Sequence, residues 1–183
     1  MTIFYLVRHA HADWNPDENR PLSARGQQDA LLLADRLLNM SIDLIYSSPY
    51  QRARQTVEPL AGHLGLPVNL EINLRERELG QTPEGDFQDI VGRNWRDMDF
   101  TYPKGESNRM AQARGRAVLD RLRLEYPAAH IVISTHGNLL ALMMHSFNPE
   151  LNYHFWLDLS MPDVYILAIS QTGAVDINRY WKP

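Results

Sequence analysis

The chain has 183 residues, 44% hydrophobic and 22% charged, a balance ordinary for one soluble globular domain spanning residues 1–183. It contains no cysteine, which excludes disulfides, thiolate metal sites and a cysteine nucleophile and, with no signal-like opening segment, makes the cytoplasm the default location. A net charge of -4 argues against a general nucleic-acid or membrane-surface partner, yet leaves room for a locally positive pocket that takes a small anion.

Residues 3–7, IFYLV, are β-branched and aromatic and predict a buried strand that stops in the polar cluster 8–15, RHAHADWN. Ser23 is a plausible N-cap for a helix with Ala30, Leu33, Ala34 and Leu37 on its inward face. A second strand is expected over 43–47. Ser48 and Pro49 then read as a helix start, with Ala53, Thr56, Val57 and Leu60 inward and Gly62 and Gly65 bracketing the stop. PVNL (67–70) reads as a short strand. Residues 71–104 are irregular, a loop-and-short-helix excursion. A long helix is expected from about Ser107 to Tyr126, then a strand over 130–134, a buried helix over 139–144, and a closing hairpin from 163–170 and 174–177.

Strands alternating with helices predict an α/β fold, a mainly parallel sheet covered on both faces, with an antiparallel edge from the final hairpin. Ligands of such sheets sit beyond the carboxyl ends of the strands. Three polar clusters fall there: Arg8-His9, Ser47 to Arg52, and Thr135 to Asn138. They contain what phosphoryl transfer needs. Either His9 or His136 is a possible nucleophile, since neutral imidazole is common near pH 7. Arg8 and Arg52 offer planar forks for phosphate oxygens. Helices starting near Pro49 and Gly137 would aim free N–H groups at the same anion. Glu76, in LREREL, is a candidate acid for the leaving oxygen.

These residues resemble the histidine phosphatase superfamily, the phosphoglycerate mutase-like family. LVRHAHADWN resembles its signature. LSARG (22–26), SSPYQRARQT (47–56), LRERELGQTPEG (74–85), PKGES (103–107) and STHGN (134–138) follow in family order. The resemblance implies a three-layer α/β/α sandwich, with His9 as the nucleophile that becomes phosphohistidine. It makes Arg8, Arg52 and His136 ligands of the phosphoryl group and Asn15 a further one. Glu76 becomes the acid that later activates water, and no metal or organic cofactor is implied. The segment at about 76–105 would roof the pocket, where Arg93, Arg96 or Lys104 could receive a second anionic group of the substrate. Two departures stand out. Ala10 replaces the family's glycine after the histidine, which is tolerable at negative φ and costly at positive φ. The RHA and RPL features resemble the short phosphohistidine-phosphatase branch, which commonly lacks the acid glutamate present here.

Cofactor-dependent mutases of the family are longer, so the expected activity is hydrolysis of a small phosphorylated metabolite. A protein phosphohistidine substrate and mutase-type transfer are the alternatives, and a non-catalytic phospho-ligand binder is a remote one. Two other motifs compete. HAHAD (9–13) fits a metal-binding H-x-H-x-D pattern but leaves Arg8 and Arg52 unexplained. DMDFT (97–101) fits an aspartate-nucleophile motif, yet follows polar GRNWR where a hydrophobic strand is needed.

Overall fold

The structure is a computed structural model describing residues Met1–Trp181. Its six strands are β1 (Thr2–Arg8), β2 (Leu44–Ser47), β3 (Val68–Leu70), β4 (His130–Thr135), β5 (Asp163–Ile169) and β6 (Val175–Arg179), in the order β3-β2-β4-β1-β5-β6. The first four are parallel; β5 runs antiparallel to β1, and β6 antiparallel to β5. Six α-helices accompany them: α1 (Ala24–Leu37), α2 (Gln51–Leu64), α3 (Phe87–Arg96), α4 (Asn108–Glu125), α5 (Gly137–His145) and α6 (Tyr153–Leu157).

Strand periodicity of two sends successive side chains to opposite faces. Tyr5, Val7, Ile45 and Val132 join α1 and α2 in one buried cluster, with Leu33, Leu37, Val57 and Leu60. Phe4, Leu6, Ile131 and Ile133 join α4 and α5 in another, with Leu119, Leu122, Leu139 and Met143. Burial on both faces explains why these strands read as continuous apolar runs. The predicted α/β/α sandwich with a mainly parallel sheet is the observed one. Among the described residues, no helix is long and apolar enough to cross a membrane.

Several element ends differ from expectation. Ser23 caps α1 as predicted, accepting from the Gly26 N–H at 3.1 Å. The helix expected at Ser48-Pro49 begins instead at Gln51, whose N–H donates to Asn19 Oδ1 at 3.0 Å, a partner distant in sequence. Gly62 lies inside α2, and the stop is Gly65 alone, in the left-handed conformation at φ 66°. The apolar run 139–144 lies in the helix that starts at Gly137, the start expected for it. The short helix α6 has no counterpart among the predicted elements.

Gly26 is where α1 meets the segment that follows β1. A Cβ there would fall 2.0 Å from the His11 carbonyl oxygen, against backbone that cannot step aside. Gly26→Ala is therefore expected to destabilise the protein by at least about 2 kcal/mol in urea unfolding. Gly62, with nothing within 4 Å of its Cβ position, provides the opposite case. Gly62→Ala is expected to stabilise by up to about 1 kcal/mol through helix propensity. Equal effects at the two positions would contradict this packing.

Candidate active site

Sheet register brings the polar clusters together. β4 lies between β1 and β2, with Arg8 opposite Thr135 and Ser47 opposite Ser134. Each ladder continues one bond further: His9 N–H donates to Thr135 O at 3.0 Å, and Ser48 N–H to Ser134 O at 2.9 Å. The chain leaves the sheet at His9, Ser48 and His136 side by side. The rings of His9 and His136 stand 5.2 Å apart, edge to face.

The imidazole of His9 is buried at 8% exposure, and its Nδ1 lies 2.7 Å from the Ala10 carbonyl oxygen. A carbonyl only accepts, so Nδ1 carries the hydrogen and Nε2 keeps its lone pair. Arg52 Nε donates toward that lone pair at 3.2 Å. Burial lowers the His9 pKa to about 3, opposed by the Ala10 bond and assisted by Arg52, Arg8 and Arg20. Ala10 is not among the residues with positive φ, and its methyl packs in a small cluster with Leu22 and Ala30. The methyl is thus accommodated where the family has glycine. Its N–H donates to Thr56 Oγ1 at 2.9 Å, and that hydroxyl donates to Arg52 O at 2.7 Å, tying the His9 segment to α2.

His136 is fully buried, with Nε2 2.8 Å from Ser48 Oγ and Nδ1 without a hydrogen-bond partner among the described residues. Burial, then the neighbouring His9, lowers its pKa well below the usual value. Ser48 is thus a partner of His136 rather than the predicted N-cap. Arg8 donates to Leu159 O at 2.7 Å and lies flat against Gly137, where a Cβ would meet its Nε at 2.9 Å. Burial lowers the pKa of both Arg8 and Arg52.

Side chains take part of both helix N-termini. Gln51 N–H is taken by Asn19, and those of Asn138 and Leu139 donate to the Glu76 carboxylate at 3.1 and 2.9 Å. Glu76 Oε1 also accepts from Arg77 N–H at 2.8 Å. Glu76 therefore caps α5 beside the cavity it lines, and the guanidinium groups supply its positive charge.

Arg8, His9, Arg52, Glu76, Gly137 and Asn138 line one cavity of about 560 Å³. The loop after β1 lines it with Asn15, which is exposed and whose Oδ1 accepts from Asp17 N–H at 2.9 Å. Arg93, Arg96 and Lys104 do not line it. Arg93 lies over the Phe100 ring at 4.1 Å, and the other two are exposed. Arg20 and Arg77 line it in their place. Arg77 is buried, with Nε and Nη1 unpartnered among the described residues. Its charged neighbourhood, Arg75 to Glu78, reads as a solvated loop in sequence, so only the RPL feature offered a signal, and that for Arg20. The competing motifs disperse. His11 Nδ1 pairs with Ser23 Oγ at 2.8 Å, away from His9, and Asp99 of DMDFT pairs with Arg109 on the surface.

The family pattern of the histidine phosphatase superfamily, branch 1, matches residues 4–177. A probable phosphoglycerate mutase, GpmB, from Escherichia coli O1:K1 / APEC is 30% identical over 158 residues, 79% of this chain and 74% of that protein. YhfR of Bacillus stearothermophilus superposes with a TM-score of 0.80 at 26% identity, covering 98% of this chain and 96% of that one. A mycobacterial glucosyl-3-phosphoglycerate phosphatase has the same fold, with a TM-score of 0.80 at 23% identity over 97% of each chain. The match along nearly the whole sequence agrees with the paired imidazoles and arginines at the strand ends: the chain belongs to the histidine phosphatase superfamily, branch 1, and is an enzyme of that kind.

Proposed function

We propose that the protein is a phosphomonoesterase that hydrolyses a small phosphorylated metabolite through a phosphohistidine on His9. The observation that carries this reading is the His9 imidazole, neutral, with Nδ1 held by Ala10 O and Nε2 directed to Arg52. In the first step Nε2 attacks phosphorus, and the bond to the ester oxygen breaks. A proton delivered through the Glu76 carboxyl group goes to that oxygen, releasing the alcohol. In the second step water attacks phosphorus, Glu76 takes the water proton, and the phosphorus–nitrogen bond breaks to return Nε2 and release phosphate. Glu76 Oε2 accepts one backbone N–H where Oε1 accepts two, so Oε2 is the oxygen with a lone pair to spare for this proton.

Arg8, Arg52 and His136 surround the equatorial oxygens as charge develops. The guanidinium of Arg8 is held by Leu159 O and that of Arg52 by Glu18 O, and Arg52 Nε passes from His9 Nε2 to a phosphoryl oxygen as Nε2 attacks. Asn15, on the exposed rim, is a further phosphate ligand once its amide turns inward. Similar folds named glucosyl-3-phosphoglycerate phosphatase and phosphoserine phosphatase support a small substrate. The likeness to GpmB favours a second reading, transfer from the same phosphohistidine to a sugar-acid hydroxyl instead of water.

Acid-labile, alkali-stable phosphate on His9 is the expected product of quenching the enzyme with a phosphoester substrate. Its discovery on another residue type would sink the mechanism. Release of inorganic phosphate without a second phosphorylated product separates hydrolysis from transfer. Glu76→Gln is expected to slow turnover of an alkyl phosphate by ~100-fold or more. It should slow a phosphohistidine substrate far less, since that leaving group needs little acid help. Equal losses on both would remove Glu76 from the acid role.

The buried histidines also set a pH dependence of stability. His9 is lowered to about 3 and His136 is lowered too, whereas both titrate near 6.5 when unfolded. The unfolded chain therefore binds more protons below pH 6.5, and stability present above that pH is lost as pH falls. Between pH 6.5 and 5 His9 is expected to contribute a slope of up to about 1.4 kcal/mol per pH unit, and His136 acts in the same direction. Urea midpoints across this window should change less steeply in His9→Gln, and an unaltered slope would show that His9 is not held neutral.

A further inference from the structure

The cavity at the strand ends is far larger than a phosphate group. Its volume of about 560 Å³ is that of a site for a whole small organic ligand, about 300–1,000 Å³. The cationic end is formed by Arg8, His9 and Arg52. Besides the polar Asn15, Glu18, Arg20, Tyr50, Arg77 and Glu78, the lining includes Leu79, Phe87, Val91, Trp156 and Met161. None of these five carries a charge, and only the Trp156 indole N–H can hydrogen-bond.

This apolar wall is braced. Phe87 opens α3 and Trp156 belongs to α6, with ring centroids 6.3 Å apart. Tyr153 stacks on Trp156 at 5.6 Å and 26°. Its hydroxyl donates to Gln88 O at 2.9 Å, linking α6 to α3. Phe87 nevertheless stays 60% exposed, and Trp14, lining the same cavity from the loop after β1, is 82% exposed. Large aromatic surface left in water beside a polar site marks a place where a ligand is to cover it.

We infer that the alcohol part of the substrate is a flat, apolar ring that packs on Phe87 and Trp156 while its phosphate meets Arg8 and Arg52. This rests on the phosphomonoesterase reading and narrows it to a substrate class. A polyol ester would turn hydroxyls toward Leu79, Val91 and Met161, which offer no partners, at the cost of their hydration. An ester bearing a second carboxylate would meet Glu18 and Glu78 in the lining, although Arg20 and Arg77 line the cavity as well. That ester is therefore the competitor to measure.

The test compares 2-phenylethyl phosphate, glycerol 3-phosphate and phosphoserine, three alkyl phosphates, so that leaving-group chemistry does not confound the comparison. Binding is measured by calorimetry on the His9→Ala protein, which cannot turn them over. The phenylethyl ester is expected to bind at least about tenfold tighter than either other ester, as burial of about 55 Å² of apolar surface supplies. Adding Trp156→Ala should bring the three affinities to within about threefold, Phe87→Ala should narrow the gap, and Trp156→Phe should keep most of it. Phe87 is exposed, so its variant keeps the test open if the Trp156→Ala protein folds poorly. Equal or tighter binding of glycerol 3-phosphate or phosphoserine overturns the inference. So does a preference that survives both alanine substitutions. The phosphomonoesterase reading is judged separately, by phosphate trapped on His9 in the unsubstituted enzyme. Its absence would leave the binding preference measured and the catalytic role refuted.

Discussion

Everything at the site depends on β4 lying between β1 and β2 with all three strands parallel. Each outer ladder is extended by one hydrogen bond past the last strand residue, to Thr135 on one side and Ser134 on the other. Those bonds fix where His9 and Ser48 leave the sheet, and His136 leaves between them. A one-residue slip of β1 would turn every side chain of that strand to the wrong face, exchanging Tyr5 and Val7 with Phe4 and Leu6 between two closed cores. The packing of both layers thus enforces the register that the site needs.

Electrostatics follow from that geometry. Placing two imidazoles and two guanidinium groups at one buried edge makes a neutral histidine the cheapest arrangement, because a further cation there would be desolvated and repelled. Neutrality leaves Nε2 of His9 with its lone pair, and the surrounding arginines keep the region attractive to an anion. The helix N-termini, which often hold phosphate themselves, give the N–H groups of Gln51, Asn138 and Leu139 to Asn19 and Glu76. In effect α5 positions a carboxylate beside the imidazoles, and the guanidinium groups are left to bind the ligand.

The sequence could be read furthest where local chemistry sets structure. The strand runs were legible because burial on both faces makes them uniformly apolar. Ser23 was legible as a cap because its hydroxyl bonds only three residues away. Arg8, His9, Arg52, Glu76 and His136 were legible through motifs; the first four line one cavity, and the buried His136 ring stands 5.2 Å from that of His9. The start of α2 was not, since Asn19, 32 residues earlier, supplies the cap to Gln51. Arg77 was hidden in the charged run Arg75 to Glu78, which local sequence gives no reason to bury, yet it is buried. α6 is a five-residue helix, too short for a periodic pattern to register.

The order of polar and apolar residues along this chain determined its α/β layering, its acidic, cysteine-free character and the residue types available for phosphoryl chemistry. Those properties are local, set by side-chain chemistry and spacings of two to four residues. Tertiary structure alone decided which nitrogen of His9 bears hydrogen, that Ser48 serves His136, that Glu76 sits on α5, and that Trp14, Phe87 and Trp156 share a cavity with the arginines. Each depends on groups far apart in the chain meeting within a few ångströms. Such meetings are fixed by sheet register and helix packing, which no short stretch of sequence encodes.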